Sequence, residues 1–179
     1  MPNRPAASVT ATLSRLRTLY NPKLNDLDPR PGRVLALDVG KKRIGLAISD
    51  ELGITAQGLD TLERTRIRDD IENLKQIATQ WDAKMLLVGS PLHMSGSESL
   101  QSKYTREFAE RLQQHLGLPV IFWDERLTSV EAQRLLRETG ASLQQRKRTV
   151  DRLAAVLLLE SYLANQQRQC DSGEEGTLE

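Results

Sequence analysis

Residues 34–49 read Val-Leu-Ala-Leu-Asp-Val-Gly-Lys-Lys-Arg-Ile-Gly-Leu-Ala-Ile-Ser, and the fold follows from how this stretch must sit. Val34–Val39 and Ile44–Ser49 are apolar runs too short for a helix, and Gly40-Lys41-Lys42-Arg43 between them has the composition of a turn. The stretch therefore predicts two antiparallel strands in a hairpin. Asp38 stands at the end of the first run. Burying an ionised carboxylate without a partner costs several kcal/mol, on the order of a domain's whole stability margin, so it needs either the donors of the following turn or a cation. With Lys41 and Lys42 at the turn, Gly45 falls opposite Asp38 and leaves room there for an ion or a phosphate. Asp50 closes the second strand roughly 20 Å away, at ~3.3 Å per residue, and is expected to be structural.

Working outward, Thr55–Leu62 predicts a third strand. Ile67, Ile71, Leu74, Ile77 and Trp81 recur at helical spacing, as do Tyr104, Phe108, Leu112 and Leu116, the latter stripe ending at Gly117. Short apolar runs at Met85–Val88 and Val120–Trp123 predict two more strands. Thr128 with Glu131 has capping-box spacing and predicts a helix stopped by Gly140, and Val150–Leu163 predicts a buried last helix. An antiparallel start followed by alternating helices and strands implies an α/β fold, a five-stranded mixed sheet with helices on both faces. The organisation expected is an N-terminal extension over residues 1–32, a single domain over 33–165, and an acidic, disordered tail over 166–179.

The chain has 179 residues and a mass of 20.1 kDa, one domain's worth, which excludes large two-lobed enzymes. With 25 Lys and Arg against 24 Asp and Glu, affinity for nucleic acid depends on how charges are grouped, not on their sum. A lone cysteine, Cys170, excludes an intramolecular disulfide and a Cys-rich zinc site and fits a reducing cytoplasm. No apolar run reaches the ~18–20 residues that span a bilayer, so no membrane is expected.

Asp124-Glu125 repeats the Asp38 pattern at the end of Val120–Trp123. If that strand runs parallel to the first, these acids lie on the edge where open α/β sheets bind ligands. Their side chains alternate, so at most one of the two meets Asp38. Asp151 opens the final helix, where the helix dipole alone explains an acid by ~0.3–1 kcal/mol. Three convergent carboxylates without a histidine cluster suit a hard cation on oxygen ligands, Mg²⁺ before others, and such a site aligns water against a phosphodiester. Basic residues gather at the same edge: Lys41, Lys42 and Arg43 in the turn, Arg126 after the acidic pair, and Arg146, Lys147 and Arg148 before the last helix. Each run alone reads as a solvated surface; beside acids they suit a phosphate backbone. The small-residue loop Gly89-Ser90-Pro91 to Ser97 is a further phosphate contact to consider, and His93 in it a substrate contact. Ser90 with His93 lacks the nucleophile elbow of a hydrolase dyad.

Leu37-Asp38-Val39-Gly40-Lys41-Lys42-Arg43-Ile44-Gly45-Leu46-Ala47, Val88-Gly89-Ser90-Pro91-Leu92 with Gly96, Asp124-Glu125-Arg126-Leu127-Thr128-Ser129 and Val150-Asp151-Arg152-Leu153-Ala154-Ala155 resemble, in order, the motif series of the YqgF/RuvX family. The resemblance covers about Arg33 to Leu163. It implies an RNase H-like fold and a nuclease described as Holliday-junction-resolvase-like or as acting on pre-16S rRNA. It also implies that Asp38, Glu125 and Asp151 converge as metal-binding acids for Mg²⁺ or Mn²⁺, with Asp124 as the alternative to Glu125. Ser129 stands where the family usually has a second Thr, which preserves the hydroxyl.

The expected partner is structured RNA, pre-16S rRNA in particular, or branched DNA, with the protein a monomer or a homodimer. Two rivals differ in class. An ATPase of the actin and sugar-kinase fold also begins with apolar-Asp-x-Gly, but it places nucleotide between two domains and this chain holds one. A noncatalytic nucleic-acid-binding or transcription-associated protein would use the same basic edge without cutting. At 4% aromatic residues, recognition is expected to follow backbone and shape more than bases.

Overall fold

The computed structural model describes residues 32–90, 100–123 and 143–174, with only the backbone described at 143–148 and 170–174. The hairpin forms as the apolar runs require: β1 (Arg33–Val39) and β2 (Arg43–Ser49) pair antiparallel, and Asp38 faces Gly45. Two short strands, β3 (Ala56–Gly58) and β4 (Leu62–Glu63), follow on the outer side of β2. Next come helix α1 (Ile67–Gln80), β5 (Ala83–Gly89), helix α2 (Leu100–Leu116), β6 (Val120–Trp123) and helix α3 (Leu143–Glu174). The sheet order is β3-β2-β1-β5-β6 with β4 also on β2, and β1, β5 and β6 run parallel. Their C-terminal ends, at Val39, Gly89 and Trp123, therefore share one edge.

The mixed sheet is as expected, but the third strand is two. Residues 59–61 stand opposite only residues 45–46 between the two paired segments, a bulge anchored by the Leu59 N–H on the Leu46 carbonyl at 2.8 Å. Six strands result where a single third strand over Thr55–Leu62 gave five. The helix expected over Thr128–Gly140 lies outside the described residues. The last helix is longer than its apolar stripe: Val150–Leu163 is the packed middle of α3, which runs on through Asn165 to Glu174.

Alternation along the strands divides the core. Leu35, Leu37, Ile44, Leu46, Leu86 and Val88 pack under α1 and α2. Val34, Ala36, Ala47 and Leu87 pack on the other face against Ala155, Leu158, Leu159 and Tyr162 of α3. This second face is built from small residues, and α3 comes close. A side chain at Gly45 would overlap the Asp151 carbonyl oxygen, and one at Gly58 would press on Arg152 and Val156. Gly45 thus makes room for the backbone of α3, where the sequence suggested room for an ion or phosphate.

Candidate metal centre

Asp38 has the parity of Val34 and Ala36, which places it on the α3 face at the C-terminal end of β1. The Gly40 N–H of the turn is engaged elsewhere, on the Arg43 carbonyl at 2.9 Å. Burial and, secondarily, the nearby Asp151 carboxylate push the pKa of Asp38 up to about 6. Two acids from the first strand and the last helix thus meet at one sheet edge. Asp151 is itself paired, its Oδ2 taking the Arg43 Nε at 2.5 Å, with the two side chains 27% and 22% exposed. That bond engages Arg43 inward, beside the acids. Lys41 and Lys42 project from the turn and are exposed.

Asp124, Glu125, Arg126 and His93 lie outside the described residues, so neither member of the acidic pair is placed. Arg146, Lys147 and Arg148 fall in the first turns of α3, N-terminal to Asp151, where only the backbone is described. No group of three or more His, Cys, Asp or Glu able to hold a metal occurs among the described residues. The donor pair in hand is anionic oxygen, partly buried and mutually repulsive, which fits a hard divalent cation and not zinc.

Other candidates resolve into structural roles. Asp50 accepts the Ile54 N–H at 2.7 Å and the Thr55 hydroxyl at 3.0 Å; these donors hold its pKa below the usual carboxylate value. His115 bonds the Arg111 carbonyl at 2.8 Å and closes the last turn of α2. Ser90 donates its N–H to the Trp123 carbonyl at 2.9 Å, extending the β5–β6 pairing along the edge.

The sequence reading missed the buried cation beneath the turn. Arg64, 6% exposed, bonds Asp70 Oδ2 through Nε at 3.0 Å, the Gly40 carbonyl through Nη1 at 3.0 Å and the Tyr104 hydroxyl through Nη2 at 2.6 Å. Its guanidinium lies 5.1 Å from the Tyr104 ring centroid and 4.7 Å from that of Phe108. The available signal was Asp70, a carboxylate on the same helical face as Ile67, Ile71 and Leu74, which must find a cation when that face is buried.

Sheet order, the antiparallel start and helices on both faces define an RNase H-like fold. The chain is similar in structure to Thermus thermophilus RuvC in complex with a Holliday junction substrate, with a TM-score of 0.51 at 13% identity over 76% of this chain and 96% of that one. The chain belongs to the RuvX family, whose model, described as Holliday junction resolvase, matches residues 32–165. It is 52% identical over 132 residues to a Koribacter versatilis protein, covering 74% of this chain and 86% of the relative. A Thermoanaerobacter pseudethanolicus protein is 45% identical over 138 residues, covering 76% and 99%. Both relatives carry the name "Putative pre-16S rRNA nuclease".

Proposed function

We infer that the protein is a metal-dependent nuclease that hydrolyses phosphodiester bonds with water as nucleophile, acting in the cytoplasm on the precursor of 16S rRNA. The observation that carries this is the meeting of Asp38 and Asp151 at the sheet edge, with Asp38 partly buried and its pKa raised by burial and by the Asp151 carboxylate. A carboxylate kept there against its desolvation cost is explained by a bound cation. The names of the relatives supply the substrate.

Asp38, Asp151 and Glu125 would hold Mg²⁺ or Mn²⁺. Asp124 is the alternative to Glu125 in this set. When bound, the cation would activate water and stabilise the leaving oxygen. Arg43 orients the Asp151 carboxylate through its 2.5 Å bond. Lys41 and Lys42, with Arg126, would meet phosphates. Arg146, Lys147 and Arg148, in the first turns of α3, belong to the same proposed set, since grouped cations beside acids suit a phosphate backbone.

The family description favours a four-way DNA junction as the second substrate to test. Purified protein is assayed on pre-16S rRNA and on such a junction with Mg²⁺, Mn²⁺ or chelator, beside Asp38→Asn. The expected result is RNA cleavage that requires the metal and falls at least about a hundredfold in Asp38→Asn, with RNA affinity kept within about threefold. Cleavage in chelator, or full activity in Asp38→Asn, rejects the mechanism; binding without any cleavage leaves the noncatalytic rival.

A further inference from the structure

We propose that Arg64 is a positioning residue for substrate binding, fixing the Lys41-Lys42 turn so that both lysines present to a phosphate backbone in one geometry. The proposal rests on the nucleic-acid reading above and adds to it a residue outside the charged edge. The two carbonyls that bracket the lysines are both held by Arg64: Gly40 accepts from Nη1 at 3.0 Å, and Lys42 accepts from the Arg64 backbone N–H at 2.9 Å. The loop carries adjacent like charges, and the exposed lysines repel each other, so a fixed geometry for both needs the turn to be held.

Arg64 is in turn held from both helices. Asp70, 1% exposed, takes its Nε and reaches back to the Thr65 N–H at 2.9 Å, which references the turn to α1. The Tyr104 hydroxyl and the Tyr104 and Phe108 rings reference it to α2. The first turn of α2 also holds the chain next to Asp38, where the Gln101 Nε2 donates to the Val39 carbonyl at 3.1 Å. Stability alone gives a weak reason for such an arrangement, since a buried ion pair is often no better than apolar residues of like volume. What the guanidinium supplies is a planar fork whose separate nitrogens bond α1, α2 and the turn at once. Lysine keeps the charge and cannot make that fork.

The test measures the affinity of the full chain for a fluorescently labelled RNA hairpin in chelator, where no cutting occurs, across a series of salt concentrations. Each phosphate contact contributes roughly 0.7–0.9 to the slope of log affinity against log salt. Arg64→Lys is expected to weaken binding roughly tenfold at low salt and to lower the slope by about as much as Lys41→Ala with Lys42→Ala. The triple variant is expected to be no weaker than the double lysine variant, because residues acting through one structure are not additive. A wild-type slope in Arg64→Lys, or losses that simply add, overturns the proposal. If Arg64→Lys does not fold, Tyr104→Phe decides: it removes only the hydroxyl that takes Nη2, and it must lower affinity and slope in the same sense, while unchanged values overturn the proposal. A flat slope in the wild-type protein would instead reject the nucleic-acid reading, and the proposal with it.

Discussion

The fold raises the pKa of Asp38 to about 6, chiefly by burial and secondarily through the nearby Asp151 carboxylate. Between the ordinary value of 3.8 and about 6, the folded protein holds a proton that the unfolded chain has released. Folding stability therefore falls as pH rises through that window, and above it the ionised group destabilises the metal-free protein by about 2–3 kcal/mol. Asp38→Asn should be more stable than wild type by that order at pH 7.5 in chelator, a gain that fades near pH 4, as urea unfolding at the two pH values would show. A loss of stability at pH 7.5 would mean that the ionised carboxylate accepts hydrogen bonds and serves the fold. Asp50 has the opposite sign: donors from Ile54 and Thr55 lower its pKa, so its contribution is present at neutral pH and is lost as pH falls through the folded value.

At the scale of elements, two glycines separate fold from site. Gly117 ends α2 with φ +67°, its N–H on the Gln113 carbonyl at 2.9 Å, and open space where a side chain would stand. Gly117→Ala should cost about 1 kcal/mol through backbone conformation alone, lowering Tm by a few degrees and leaving RNA cleavage unchanged. Gly45 lies under the Asp151 carbonyl, where a neighbouring backbone cannot give way as a side-chain end would. Gly45→Ala should cost about 3 kcal/mol and displace Asp151 as α3 lifts, so cleavage falls together with Tm. Equal effects of the two substitutions would contradict the close seat of α3. The hairpin, the two helical stripes and the Gly117 stop were legible because each rests on local periodicity or a single special residue. The split of the third strand was not, because a bulge depends on which residues of β2 are opposite, and Thr55–Leu62 alone carries no mark of it. Nor was the length of α3 legible, since its polar last turns have no apolar stripe.

Taken as a whole molecule, the site joins the first strand to the last helix, and long-range joins are where a single sequence says least. The placement of Asp38 followed from an acid ending an apolar strand. That Asp151 comes to it was implied only by the family resemblance, because the helix dipole accounts equally well for an acid at that position. The Arg64 network was illegible for the same reason, its members coming from the end of β4 and from two helices. Because Asp38 and Asp151 ride on elements that meet only in the folded state, a cation that needs both binds the native protein and scarcely the unfolded one. Mass action then stabilises the fold by about 2.7 kcal/mol at a hundredfold excess over Kd, a rise in Tm on the order of 5–10 °C. Thermal unfolding of the full chain with Mn²⁺ or Mg²⁺, against chelator, should show that rise in the wild type and in Asp50→Asn, whose carboxylate is structural, and lose most of it in Asp38→Asn. The same rise in Asp38→Asn would place the cation elsewhere and separate it from the sheet edge on which the hydrolytic mechanism depends.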